Sequence, residues 1–336
     1  MTHKYLLFRM FAVACIAWSP QSVYADLGQV VSDQILPGTA LFSAETSALE
    51  TAASTQCSAE TLRPTYHRVF DAWLTVSHIR FGPLERLDAG QSIAYWPDTK
   101  GFTGRALGNL IRDEDPVIDS AADFFEVSVA GRGLFALEKM LFDPSLSGYD
   151  VDSYSCRLVQ ALATDLALTA RELDRQWREE FADIVRTAGS DDNQVYLSEE
   201  EAIQTVYTAI LSGLEFNESL RLGRPLGTFE RPRPRRAEAN LSARSLLNVI
   251  LSLQALKALT DSLVDQEIPR TDAAFDRTIE YAIALDDPVF TGVAVPQSRL
   301  KIEILQIEIK TLMNEIELEV GPILGVIAGF NSQDGD

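Results

Sequence analysis

The feature that most limits what this chain can fold into is the spacing of its apolar residues. They recur at three- and four-residue intervals almost from end to end and never settle into strand alternation. The clearest case is 298–325, where Ile302, Leu305, Ile309, Leu312 and Ile316 form one stripe. Tyr66, Phe70, Trp73 and Leu74 do the same within 62–87, and Leu158, Leu162 and Leu166 within 152–187. The pattern predicts helices over 26–59 (broken at Pro37-Gly38), 62–87 (bent or ended at Phe81-Gly82-Pro83), 105–112, 117–142, 152–187, 198–222, 237–264, 271–285 and 298–325. The expected fold is all-α, built from antiparallel helices with short connections. The polar, turn-rich stretch Ala188–Asn193 is the best internal boundary. It divides the chain into an N-terminal helical bundle over 26–194 and a C-terminal one over 195–336, which suits a length of 336 residues.

The N-terminus reads as a leader. Lys4 and Arg9 precede or interrupt the apolar run 6–18, and Val23-Tyr24-Ala25 sets small residues before Asp26. Residues 1–25 are therefore expected to be a signal peptide that exports the protein to the periplasm. The alternative is a lipoprotein anchored through Cys15, which the loose lipobox Ala12-Val13-Ala14-Cys15 favours less. The apolar run is too short for a membrane span, and no later stretch offers about 20 consecutive apolar residues. Export leaves Cys57 and Cys156 as one pair in an oxidising compartment, for which a single disulfide is the default. Two free buried thiols and a two-cysteine metal site are the alternatives.

The formal net charge of −20 opposes binding to nucleic acid or anionic lipid. The one basic cluster, Arg231-Pro-Arg-Pro-Arg-Arg236, is proline-bound and has no aromatic platform. It is expected to be extended and to dock locally or line a pocket. The chain has no P-loop, GxGxxG, GxSxG or HExxH. His67 and His78 are the only histidines after the leader, about 16 Å apart along one helix, too far to share a metal. His67 is spaced for a contact with Asp71.

What remains is a polar set in otherwise apolar segments. Arg132 and Glu138 lie within Ala130–Phe142, and Arg236, Glu238, Arg244 and Ser245 follow the basic cluster. On a helix, Glu238, Ser242 and Ser245 share one face, and Asn240, Arg244 and Asn248 another. Two such segments, one per bundle, would build an interdomain polar pocket. The competing reading is solvated faces and structural ion pairs.

Several of these residues carry a resemblance. Gly133-Leu134-Phe135-Ala136-Leu137-Glu138 is similar to the GxHxxE motif of the imelysin family, also called peptidase M75. Trp96-Pro97-Asp98, Gly131-Arg132-Gly133, Ala237-Glu238, Arg244-Ser245 and the terminal Gly329-Phe330-Asn331 with Asp334-Gly335-Asp336 resemble landmarks of its periplasmic lipoprotein-like branch. The resemblance implies an exported two-bundle protein with its site at the bundle interface. It also implies an association with iron uptake in some relatives, and a peptidase label from an insulin-cleaving founder. The motif's histidine is Phe135 here, and phenylalanine neither ligates metal nor moves protons. Only Glu138 of the pair remains as a metal ligand, and a carboxylate site favours hard ions. The expectation is thus a binding protein without catalytic residues. Arg132, Glu138, Arg236, Glu238, Arg244 and Ser245 would line the pocket, with Trp96 and Asp98 at its edge. The expected partner is a metal ion such as iron, an anionic or chelate-like small ligand, or another envelope protein. The rivals are an envelope hydrolase and a structural envelope protein without a ligand.

Overall fold

The computed structural model describes residues 25–326, so the leader, Cys15 and the landmarks at 329–336 lie outside the described residues. The described chain is all-α. Its only bridges outside helices are Ala25 with Val264 and Thr228 with Arg231.

The principal helices are α1 (27–55), α2 (Ala59–Leu74), α3 (Phe102–Asp113), α4 (Gly133–Phe142), α5 (154–186), α6 (199–226), α7 (Ser245–Leu263), α8 (Pro269–Ala284) and α9 (Pro296–Leu324). α1, α5 and α6 each contain a π-helical turn, at Val30–Ile35, Trp177–Phe181 and Phe216–Leu222. α1 packs on α2 and α5, and α4 on α2, α3 and α5. α6 packs on α7 and α9, and α8 lies between α7 and α9. The two groups meet where α7 packs on α2 and on the π turn of α1. The apolar core runs through both groups as one cluster. α7 is long and apolar enough to cross a membrane by length and composition, and more than half of it is buried in this core. Cys57 and Cys156 form a disulfide that ties the α1–α2 junction to the start of α5.

Five expectations are corrected. Residues 117–142 are not one helix. A 3₁₀ turn (Pro116–Asp119), a short helix (Ala121–Phe125) and a second 3₁₀ turn (Val129–Gly131) precede α4. The chain breaks because Gly133 has φ +68° and sits against the end of the short helix Ala89–Ile93. A Cβ there would meet the Ser92 carbonyl oxygen at 2.2 Å. Residues 237–244 are turns, with Ala239 and Ala243 in the left-handed region, and α7 starts only at Ser245. Pro37 does not break α1. The π turn just before it widens the helix, which accommodates a residue with no N–H. α2 ends at Leu74, and only the short helix Pro83–Arg86 follows before Leu87. Finally, 223–226 continues α6 as a helix, and Gly227 (φ +54°) stops it.

The candidate site between the two helix groups

The turns at 237–244 gather the polar residues that a helix was expected to align. Glu138, on α4, accepts hydrogen bonds from the Ser242 backbone N–H at 3.0 Å and hydroxyl at 2.7 Å. The Ser245 hydroxyl donates to the Glu238 carbonyl at 2.6 Å, which fixes the loop to the first turn of α7. Glu138 is 5% exposed. Burial pushes its carboxyl pKa up, Ser242 pulls it down, and the Glu238 charge adds to the rise.

Glu238 is the hub of a buried network. It pairs with Arg221 of α6 at 2.7 Å and accepts from the Asn248 side chain at 2.8 Å. Arg221 also donates to Asn217 at 3.0 Å. Arg244 is 1% exposed and joins the groups from the other side. It pairs with Asp71, lies 3.1 Å from His67 Nδ1, donates to Asn248 at 3.2 Å and covers the Phe70 ring at 4.9 Å. Both residues of the expected His67–Asp71 contact thus meet Arg244. Buried charges of this kind persist only when paired, and here the Arg244–Asp71 pair spans both helix groups.

Beside this network lies a cleft of about 620 Å³. Trp73, His78, Arg80, Phe81 and Trp96 form one wall. Residues of α6, with Glu238 and Ser252, form the other. Arg80 and Arg221 both approach the Phe216 ring, at 5.0 and 4.9 Å. Trp96 meets Phe216 edge-on at 5.8 Å, and Arg224 covers Trp96 at 5.7 Å. Gly213 lets α6 approach closely, because a Cβ there would meet Leu256 at 2.6 Å and the His78 Cβ at 3.3 Å. His78 is 5% exposed, and its Nδ1 is buried without a hydrogen-bond partner. Burial, then the Arg221 and Arg80 charges, lowers its pKa to about 3. It is a neutral imidazole at any ordinary pH.

Of the residues singled out from sequence, Glu238 and Trp96 line the cleft, and Glu138, Arg244 and Ser245 stand behind it in the network that holds Glu238 and the 237–244 turns. Three others lie elsewhere. Arg132 forms a buried bidentate pair with Asp165 at 2.7 and 2.9 Å, away from Glu238. Asp98 accepts from the backbone of Phe102, Thr103 and Lys100 and starts α3. Arg236 is exposed at the end of a 3₁₀ turn, Pro234–Arg236, where an extended chain was expected. Phe135 packs edge-on against Phe70 at 5.9 Å, so the motif's histidine position is apolar here. Among the described residues no cluster of three or more His, Cys, Asp or Glu side chains could hold a metal ion.

Sequence reasoning missed Arg80, Arg221 and Phe216 and set His78 aside. Phe216 and Arg221 are five residues apart, which in an α-helix separates them. The π turn at Phe216–Leu222 brings them together, and a 3.6-residue period gives no sign of it. The usable signal was Ser77-His-Ile-Arg80, two basic side chains directly after an apolar helix.

Fold and cleft define a class: an all-α protein of two packed helix groups with a polar-rimmed pocket where they meet. The imelysin family profile matches residues 35–316, and the chain belongs to that family. It is similar to the iron-regulated protein A of Synechococcus elongatus, 24% identical over 298 residues, covering 81% of this chain and 77% of that one. Its fold matches an imelysin-like protein from Psychrobacter arcticum with a TM-score of 0.75 at 19% identity, over 90% of this chain and 96% of the other. It also matches a putative iron-regulated protein A precursor from Parabacteroides distasonis with a TM-score of 0.68 at 15% identity, over 86% and 92% of the two chains.

Proposed function

We propose that this chain is an exported, iron-related binding protein that holds its ligand in the cleft between the helix groups and does not hydrolyse peptides. In this reading residues 1–25 direct it to the periplasm. Residues 26–194 and 195–336 are two bundles, and their meeting surface is the binding site. The observation that carries the reading is the cleft itself: about 620 Å³, walled by both groups, with Arg80, Arg221 and neutral His78 beside Trp96 and Phe216. Pockets of this size and mixed lining are the usual seats of small ligands. The names of the similar proteins supply the link to iron. Phe135 supports binding over catalysis, because its apolar packing leaves Glu138 without a proton-transfer partner at the motif's histidine position.

The test is thermal unfolding of the mature protein with ferrous, ferric and chelated iron. A ligand at a hundred times its Kd stabilises the native state by about 2.7 kcal/mol. A rise in melting temperature is expected with at least one iron species, and loss of that rise in Ser212→Trp, which fills the cleft from an exposed position on α6. No shift with any iron species, or an equal shift in Ser212→Trp, overturns the reading.

A further inference from the structure

We infer that the ligand of this cleft is an aryl-bearing anion, a catecholate-type chelate of a metal, gripped through its organic shell rather than through the metal. This rests on the cleft reading above and assigns its ligand class.

The first argument counts donors and acceptors. The carboxylate of Glu238 is taken up by Arg221 and Asn248. The Asn217 carbonyl oxygen accepts from Arg221, and its amide donates to Ser252 and the Gly213 carbonyl. Glu215 also lines the cleft and is not free. Donors, by contrast, are left over. Arg80 has no ion pair among the described residues, and it stands exposed in the cleft wall beside Phe216. A site whose carboxylates are spent and whose Arg80 guanidinium is spare recognises a ligand rich in acceptor oxygens.

The second argument is the tautomer of His78. The ring is neutral, so one nitrogen carries the proton. Nδ1 is sealed away from solvent with no partner. A proton there would be a buried donor with nothing to accept it. The proton therefore belongs on Nε2, the other polar atom of a ring that lines the cleft. In that tautomer His78 donates a hydrogen bond and has no lone pair for a metal at Nε2. It joins Arg80 as a donor.

The third argument is the apolar lining. Trp73, Phe81, Trp96 and Phe216, with Ala94, give the cleft a largely aromatic apolar lining, with Arg80 and Arg221 at the Phe216 ring and Arg224 at Trp96, that a small hydrophilic anion leaves unused. Stacking and edge contacts on such rings favour an arene. An anion that carries its charge on aromatic oxygens uses both halves of the site.

Calorimetric titration of the mature protein tests this with ferric catecholate, gallium catecholate, ferric citrate and ferrous ion alone. Ferric and gallium catecholate should bind alike, ferric citrate more weakly, and ferrous ion without measurable heat. Arg80→Met, at an exposed position that should leave folding intact, should weaken both catecholates at least about tenfold, the scale of one charge-assisted hydrogen bond. His78→Gln, which keeps a side-chain N–H, should bind more tightly than His78→Phe, with both variants checked for native melting. Ferric citrate matching ferric catecholate, or Arg80→Met binding like the parent, overturns the inference. Ferrous ion binding that Ser212→Trp abolishes also overturns it but leaves the cleft reading standing. Catecholate binding that survives Ser212→Trp overturns the cleft reading itself.

Discussion

At the scale of single residues, position within the site turns on a few backbone and side-chain constraints. Gly133 is the sharpest. Its φ of +68° and the 2.2 Å and 2.4 Å approaches that a Cβ would make to the Ser92 and Ile93 carbonyl oxygens leave no room for a side chain. Gly133→Ala should cost at least about 3 kcal/mol of stability, read by denaturant unfolding, because strain and a backbone clash add. An unchanged midpoint would mean that the 129–133 turn is not built this way. Glu138 gives a pH-dependent prediction. Its folded pKa lies above the ordinary value of 4.5, chiefly through burial. Its contribution is therefore fully present below that value and is lost as the pH rises through the raised one. Glu138→Gln keeps an acceptor for Ser242 and removes the charge. Stability of the parent relative to this variant should fall as pH rises from about 4.5, the unfolded value, and a flat difference across that range would contradict the assignment. Arg132 teaches the opposite lesson. A buried arginine beside a family motif reads as a site residue, yet each of its three guanidinium nitrogens donates to Asp165 or the Phe125 carbonyl.

At the scale of elements, the long helices were legible and the irregular joints between them were not. The stripe Ile302 to Ile316 fixes α9 because nothing interrupts its period. The run 237–264 carries an equally good helical pattern, yet its first eight residues are turns. Ser242 reaches Glu138 on another helix by that route, and Ala239 and Ala243 accept left-handed backbone to allow it. Tertiary hydrogen bonds outweigh local propensity there. The π turn at Phe216–Leu222 is the same kind of joint. It points Arg221 at Phe216, five residues away, a contact that a regular α-helix would not make. The disulfide was legible from the cysteine count together with the expectation of export. Its two ends are 99 residues apart in sequence. Closing a loop of that length restricts the unfolded chain by about 4–5 kcal/mol in the entropic description. Reduction should lower the unfolding free energy on that scale, as read by urea titration with and without reductant. A shift below about 1 kcal/mol would show that the unfolded chain is already compact across this loop.

At the scale of the whole molecule, two groups of helices share one core and are locked by charged residues that bridge them. Arg244 reaches back to His67 and Asp71, Glu138 across to Ser242, and these contacts frame the cleft without filling it. The family and the all-α fold were legible from motifs and periodicity. The cleft's own lining was only half legible, since Trp96 and Glu238 were foreseen but Arg80, His78 and Arg221 are assembled by joints that sequence spacing does not display. The central claim is that an anionic, iron-related ligand enters this cleft. Trp73 and Trp96 line it, so their fluorescence reports occupancy directly. Titrating the mature protein with ferric catecholate should quench this emission saturably, with the quenching lost in Ser212→Trp and weakened in Arg80→Met. Linear, non-saturating quenching, or the same saturation curve in both variants, would contradict the account.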